Sequence, residues 1–365
     1  MRIQGLELEN YRNFDKEHFN PNPGINIIYG DNAQGKTNLI EAIWLFTGGR
    51  SFSGAKDIEL VKFGTDYAKL NLEFLALERE QEAEINIMEK RRKVSLNKVE
   101  KKSPSALIGA FCAVVFSPSH LSLVKDGPLK RRRFLDAALC QMKPKYCSAL
   151  LRYNHTLGQR NALLKEAKAN RPLLETLDIW DRNLSLYGSL IIKERLNYVS
   201  ILEAKAGEFY RGISDGKEEF SVLYKSNLIK SGIIDNIEES FFSALEAHRE
   251  EDLLLGYTSV GPHRDDLVLK VNNLNAKSFA SQGQQRSCVL SLKLAEAEIF
   301  MKNTGQKPII LLDDVMSELD AKRQTYLMES IKDWQVLLTC CDPDNIIRLD
   351  YPQKFEIKNG KINSF

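Results

Sequence analysis

Gly30-Asp31-Asn32-Ala33-Gln34-Gly35-Lys36-Thr37 decides the reading of this chain, because it fits the G-x-x-x-x-G-K-[ST] loop whose backbone N–H groups wrap the phosphates of a nucleotide. Residues 24–29 read as a short apolar strand running into the loop, and residues 38–46 as an amphipathic helix leaving it. This strand–loop–helix setting implies a site for ATP or GTP. Gly30 and Gly35 permit backbone shapes and close approaches that a Cβ would block, so the amides of Asp31, Asn32, Ala33 and Gln34 can converge on an anion above a helix N-terminus. Lys36 is expected on the β- and γ-phosphates, and the Thr37 hydroxyl on Mg²⁺. Asn32 adds a further polar reach toward the phosphates.

Such a loop needs a carboxylate strand. Pro308-Ile309-Ile310-Leu311-Leu312-Asp313-Asp314 supplies it, four apolar residues ending in two acids. Ligands of parallel sheets sit at the carboxyl ends of strands, so Asp313 is expected in the Mg²⁺ shell and Asp314 beside the attacking water. About thirty residues earlier stands Ser281-Gln282-Gly283-Gln284-Gln285-Arg286, followed by helical apolar spacing over residues 287–301. This hexamer resembles the signature motif of ABC ATPases. That resemblance implies that Ser281, Gly283 and Gln284 close over a nucleotide held by a partner subunit, hence an ATP-dependent homodimer. Met316-Ser317-Glu318-Leu319-Asp320 is similar to the D-loop of the same superfamily, and residues 335–339 read as one more buried strand. Transporter ATPases place a His next as a γ-phosphate sensor, whereas Cys340-Cys341-Asp342 follows here. Its absence argues against a transporter and leaves the sensor unassigned.

Lys36 and Asp313 stand 277 positions apart, too far for a compact transporter ATPase, so an inserted domain is expected between them. The insert passes Gly127-Pro128 into Lys130-Arg131-Arg132-Arg133-Phe134-Leu135-Asp136. A helix is predicted over 145–168, a break at Asn170-Arg171-Pro172, and then a heptad-like stripe at Leu177, Trp180, Leu184, Tyr187 and Ile191, continuing through Tyr198, Leu202 and Phe209. The pattern predicts an antiparallel helical arm with the stripe as its core.

The whole layout resembles the RecF family of bacterial DNA replication and repair ATPases, relatives of the SMC and RecN heads. Leu8-Glu9-Asn10-Tyr11-Arg12-Asn13-Phe14, the phosphate loop, Arg131-Arg132-Arg133-Phe134-Leu135-Asp136, Gly261-Pro262-His263-Arg264-Asp265-Asp266, the 284–286 signature and the 311–320 segment carry that likeness over nearly the full chain. The resemblance implies ATP-dependent binding to DNA at gaps or single-strand/double-strand junctions, dimerisation on ATP, slow hydrolysis that resets it, and cooperation with RecR and RecO in loading RecA.

Arg12 and Asn13 sit on a predicted hairpin tip, which in related heads reaches the nucleotide; an Arg fork suits phosphate. His263 reads as a hydrogen-bonding turn residue, since no second His or Cys has ligand spacing nearby. Arg264 has two readings, a phosphate or DNA contact and an ion pair with Asp265 or Asp266. With 51 bases against 49 acids the net charge is only +2, so DNA affinity must come from local patches. Candidates are Lys90 with Arg91, Arg92 and Lys93, the run 98–102, and Lys130 with Arg131, Arg132 and Arg133; on the strand-rich segment 68–96 such charges also guard sheet edges.

Six cysteines without a C-x-x-C pair, no secretory leader and no apolar run near the ~20 residues of a membrane helix point to a reduced, cytoplasmic protein. Asn359-Gly360 predicts a closing hairpin. The expected fold is α/β, a P-loop ABC-type ATPase head with a β-rich lobe, built from residues 1–120 and 256–365, with a helical arm inserted at 121–255. A transporter subunit and an ATP-gated scaffold without turnover are the competing classes.

Overall fold

The computed structural model describes residues 1–89, 91–228, 236–343 and 352–364. Two compact units divide the chain: Met1–Leu121, Glu208–Glu219 and Ser281–Phe365 form the first, Ser122–Gly207 and Phe220–Ala280 the second.

The first unit holds two six-stranded sheets. One is antiparallel, in the order β2 (Phe14–Phe19), β1 (Arg2–Tyr11), β4 (Tyr67–Ala76), β5 (Arg79–Met88), β6 (Arg91–Leu96), β7 (Val99–Lys101). Its strands alternate. Ala68, Leu70 and Leu72 face Ile87, Ile85 and Ala83 in register, and all six are buried, as expected of a sheet with one covered face. The second sheet runs β15 (Lys361–Ser364), β14 (Gln353–Lys358), β3 (Ile25–Tyr29), β13 (Val336–Cys340), β12 (Ile309–Asp313), β8 (Ala113–Phe116), parallel throughout except for β15. All five residues of β12 and of β13 are buried, which explains their unbroken apolar sequence. One face packs Leu311 and Leu337 with α1 (Lys36–Leu45) and the antiparallel sheet. The other packs Ile310, Leu312 and Leu338 with Leu290 and Leu294 of α9 (Gln282–Thr304), Leu327 and Met328 of α10 (Ala321–Ile331), and Ile213.

In the second unit, α2 (Ser122–Lys125), α3 (Pro128–Met142), α4 (Pro144–Glu166) and most of α5 (Leu177–Ile213) are joined by α6 (Ile237–Ala247), α7 (Arg249–Leu255) and α8 (Ala276–Phe279). Arg160 of α4, fully buried, pairs with Asp181 of α5 and Asp252 of α7, each at 2.6 Å, and so locks three helices together.

Two features depart from the sequence expectation. The helical arm also carries a three-stranded sheet of β9 (Phe220–Lys225), β10 (Asp266–Val271) and β11 (Leu274–Asn275). As a result residues 256–280, expected in the head, cluster with the second unit, while Glu208–Glu219, expected in the arm, cluster with the first. Pairing β9 with β10 across some forty residues draws the later segment to the earlier one.

Candidate functional site

The loop between β3 and α1 has the backbone that its glycines predict. Gly30 and Gly35 take φ of +148° and +117°, and a Cβ on Gly30 would lie 2.3 Å from the carbonyl oxygen of Ile357. The cradle is braced from two sides, by Asn13 and Asn359. Asn13 donates through Nδ2 to the Gln34 carbonyl (2.6 Å) and accepts at Oδ1 from Asn38 (2.8 Å), while the Asn359 N–H donates to Gln34 Oε1 (2.6 Å). Lys36, almost wholly buried, folds its ammonium back onto the carbonyls of Gly30 (2.6 Å) and Asp31 (2.8 Å). Its Nζ also lies 3.8 Å from Sγ of Cys341, whose thiol donates to Asn32 Oδ1 (3.1 Å). Cys341 thus stands beside the loop at the end of β13, in the segment where the sequence left the sensor unassigned.

Thr37 and Asp313 meet directly, Oγ1 to Oδ1 at 2.9 Å, although 276 positions separate them. The register Asp313↔Thr339 brings a second hydroxyl to the same oxygen, also at 2.9 Å. Burial pushes the Asp313 carboxyl up from its ordinary range, and these two hydroxyls pull against that rise. Asp314 takes φ +51°, a left-handed backbone unusual outside glycine, and its carbonyl and Oδ1 accept from the Ser317 hydroxyl at 2.9 and 3.1 Å.

These residues fit a Mg-nucleotide: a glycine cradle that a side chain would fill, a buried ammonium, and a hydroxyl–carboxylate pair of hard oxygen donors. Among the described residues no cluster of three or more His, Cys, Asp or Glu forms a metal site, and Mg²⁺, which keeps most of its waters, requires none.

Arg12 sits at the β1–β2 tip as expected, but its Nη2 donates to Glu41 of α1 (2.6 Å) and its Nη1 to the Glu59 carbonyl (3.0 Å). Glu41 also accepts from Ser51 (2.5 Å) and Ser53 (2.6 Å). Burial alone would raise the Glu41 carboxyl, and the three hydrogen-bonding partners together hold it below its usual value. Arg12 therefore fixes α1 to the hairpin tip, and Asn13 props the loop backbone. Glu41 and Thr339 went unnoticed in the sequence; the signal for both was a polar side chain inside an otherwise apolar element.

Ser281 caps α9, accepting from the Gln284 N–H at 3.3 Å, and Gln284 Oε1 returns the bond to the Ser281 N–H at 2.8 Å. The Gln284 amide further donates to Glu218 (2.7 Å), so its side chain holds the cap. Gly283 admits Arg323 of α10, whose Nε donates to Ser287 (2.9 Å) and whose guanidinium pairs with Asp320. Arg286 pairs with Glu318 at 2.5 Å. The 281–287 and 318–323 segments are thereby knitted together, with Ser281 exposed at the helix start.

The basic runs split by geometry. Arg91 and Lys93 are exposed, whereas Arg92 points inward to Asp57 (2.5 Å) and the Gly49 carbonyl (3.0 Å). Lys90 lies outside the described residues. Arg131 is a correction to the expected patch. It is buried, forks onto both oxygens of Asp266 (2.7 and 2.9 Å) and donates to the carbonyls of Leu123 and Asp126, so four of its five N–H donors are spent inside the fold. Arg132 is half-buried and donates to the Asp265 carbonyl (2.7 Å); Arg133 is exposed. Arg264 lies over the Tyr257 ring at 4.8 Å and donates to the Thr258 carbonyl (3.2 Å). His263 donates from Nε2 to the same carbonyl (3.0 Å), so its Nδ1 accepts from Tyr153 (2.7 Å), and burial lowers its pKa to about 4. Among the described residues no helix is long and apolar enough to cross a membrane.

The model of the RecF/RecN/SMC N terminal domain family matches residues 2–362. The chain is 40% identical to the DNA replication and repair protein RecF of Clostridium novyi over the full length of both, and 41% identical to that of Ruminiclostridium cellulolyticum, again over 100% of each. It is similar to two solved structures described as the recombination mediator protein RecF in the RecFOR pathway. The one with ATP has TM-score 0.94 and 35% identity, covering 100% of this chain and 97% of that one; the one with ATPrS has 0.92 and 36%, covering 99% and 97%. A Smc head domain from Pyrococcus furiosus shares the fold at TM-score 0.57 and 18% identity, over 100% of this chain and 96% of that one.

Proposed function

Because this chain belongs to the RecF family of DNA replication and repair proteins, we propose that it is an ATP-gated DNA clamp of replication and recombinational repair. ATP binding drives two copies together, the dimer grips gapped DNA or a single-strand/double-strand junction, and slow hydrolysis releases it. With RecR and RecO it promotes loading of RecA; relatives described within the RecFOR pathway support that placement. The observation that carries the proposal is the convergence of the glycine cradle, Lys36, Thr37 and Asp313 at the carboxyl edge of one parallel sheet.

In this reading the 30–35 amides and Lys36 bind the triphosphate, and Thr37 and Asp313 hold Mg²⁺. The bound ion supplies charge neutralisation for the phosphate oxygens. Asp314 orients the attacking water. Ser281 and Gly283 lie over the nucleotide of the opposite copy, while Gln284 stabilises the helix end that presents them. Nucleotide selects the closed dimer only through tighter binding to it. Among the described candidate cations, Arg91, Lys93, Lys98, Lys102, Lys130 and Arg133 are exposed for DNA, with Arg132 and Arg264 contributing through partly spent guanidinium groups.

Fluorescence anisotropy on gapped, nicked and intact duplexes tests the proposal. Affinity for the gapped duplex should rise with Mg-ATP in the parent and stay flat in Lys36→Ala. Equal binding to all three DNAs with no response to ATP would overturn it.

A further inference from the structure

We propose that Thr339 is a positioning residue that sets both strand-end carboxylates, Asp313 and Asp314, for turnover. The inference rests on the reading of Asp313 as a Mg²⁺ ligand and Asp314 as the water-orienting acid. Thr339 is 1% exposed on β13, and its single hydroxyl makes two bonds of opposite sense. The Asp314 N–H can only donate, so Oγ1 accepts there (2.9 Å) and must give its one proton to Asp313 Oδ1 (2.9 Å). Neither bond can be made by an apolar residue of the same shape.

Both ends of this clip matter to the acids. At Asp313, Thr37 and Thr339 donate to the same oxygen, which fixes the carboxylate's rotation and leaves its second oxygen outside the pair of bonds. At Asp314, the left-handed φ of +51° is anchored on the amide side by Thr339 and on the carbonyl side by Ser317. A strained backbone persists only where its surroundings over-determine it. With the Thr339 bond gone, Asp314 relaxes toward an ordinary backbone and its carboxylate swings, while the phosphate loop, held by Asn13 and Asn359, stays in place. Thr339 therefore acts on the chemical step through the two acids and touches no reacting atom itself.

The experiment compares full-length parent, Thr339→Val, Thr339→Ser and Asp314→Asn in single-turnover phosphate release, steady-state kcat and KM for Mg-ATP, Mg²⁺ titration at fixed ATP, and binding of a fluorescent ATP analogue. Thr339→Val should lower kcat on the order of ten- to a hundred-fold, the scale of a lost hydrogen bond to a charged group. KM should stay within about twofold, and half-saturating Mg²⁺ should rise severalfold. Thr339→Ser, which keeps the hydroxyl, should recover most of the parent rate. Turnover of Thr339→Val within twofold of the parent, beside an inactive Asp314→Asn, overturns the Thr339 role alone. So does a serine variant as impaired as the valine one, or a kcat loss matched by equal loss of nucleotide affinity, since either marks a packing role. Parent-like turnover of Asp314→Asn instead overturns the reading beneath it.

Discussion

Replacing Gly35 by Ala should damage the phosphate loop in two separable ways. Gly35 has φ +117°, and its new Cβ would lie 2.6 Å from Nδ2 and 2.8 Å from Oδ1 of Asn13. The backbone cost of an L-residue in that region is about 1–3 kcal/mol. The collision adds a second cost, because Asn13 must swing away and surrender its bonds to Gln34 and Asn38. At roughly 0.5–1.5 kcal/mol each, these add about 1–3 kcal/mol. Reduced chain entropy in the unfolded state, which favours Gly→Ala elsewhere, offsets less than 1 kcal/mol of this. Asn13 can be removed independently, so a double-mutant cycle apportions the two: in an Asn13→Ala background the cost of Gly35→Ala should fall to the backbone share alone. Urea unfolding followed by tryptophan fluorescence, with titration of a fluorescent ATP analogue, reads the cycle. An identical Gly35→Ala penalty with and without Asn13 would refute the steric reasoning.

Three further outcomes follow from the geometry. Arg131→Ala should cost roughly 3–5 kcal/mol in chemical denaturation by stranding Asp266, whereas Arg133→Ala should leave stability unchanged and, where Arg133 meets a phosphate, make the log–log salt slope of DNA binding about 1 less negative. Glu41, whose folded-state carboxyl lies below its ordinary value near 4.5, contributes stability that is present above that value and is lost as pH falls through the folded one. The parent should therefore lose stability more steeply than Glu41→Gln below about pH 4.5 in acid denaturation. Asp314→Asn should abolish phosphate release yet keep nucleotide affinity within severalfold, a split visible by comparing single turnover with equilibrium binding.

Much of the candidate site was legible because phosphate chemistry demands fixed residues at fixed, contiguous spacing, as in residues 30–37 and 308–314. What escaped depended on which way a residue faces. Arg131 stands at the start of a buried stripe with Phe134, Leu135 and Ala138, spacings of three, four and seven, so the helix turns it inward while Arg133 turns out. Arg92 shares a strand face with buried Val94, which sends it to Asp57 and leaves Arg91 and Lys93 outside. Reading those runs as charge alone merged opposite roles. The Arg12 partner Glu41 stands 29 positions away and gives no local cue at the hairpin tip. β9 and β10 alternate well enough to be strands, but with residues 267, 269 and 271 buried on one side only, their pairing depends on a contact no window of sequence contains. α9 hides nearly every residue from Ser287 to Phe300, so its amphipathic stripe is faint.

The proposed clamp requires two copies to close over ATP, each completing the other's site with the Ser281 segment. Sedimentation equilibrium at saturating Mg-ATP reads the mass in solution and so reports on this closure. The parent should double from 41.6 kDa when ATP is added, and Ser281→Arg should bind ATP yet remain single. A parent that stays at 41.6 kDa with its nucleotide site filled, or a Ser281→Arg variant that dimerises as the parent does, would rule out the ATP-closed dimer.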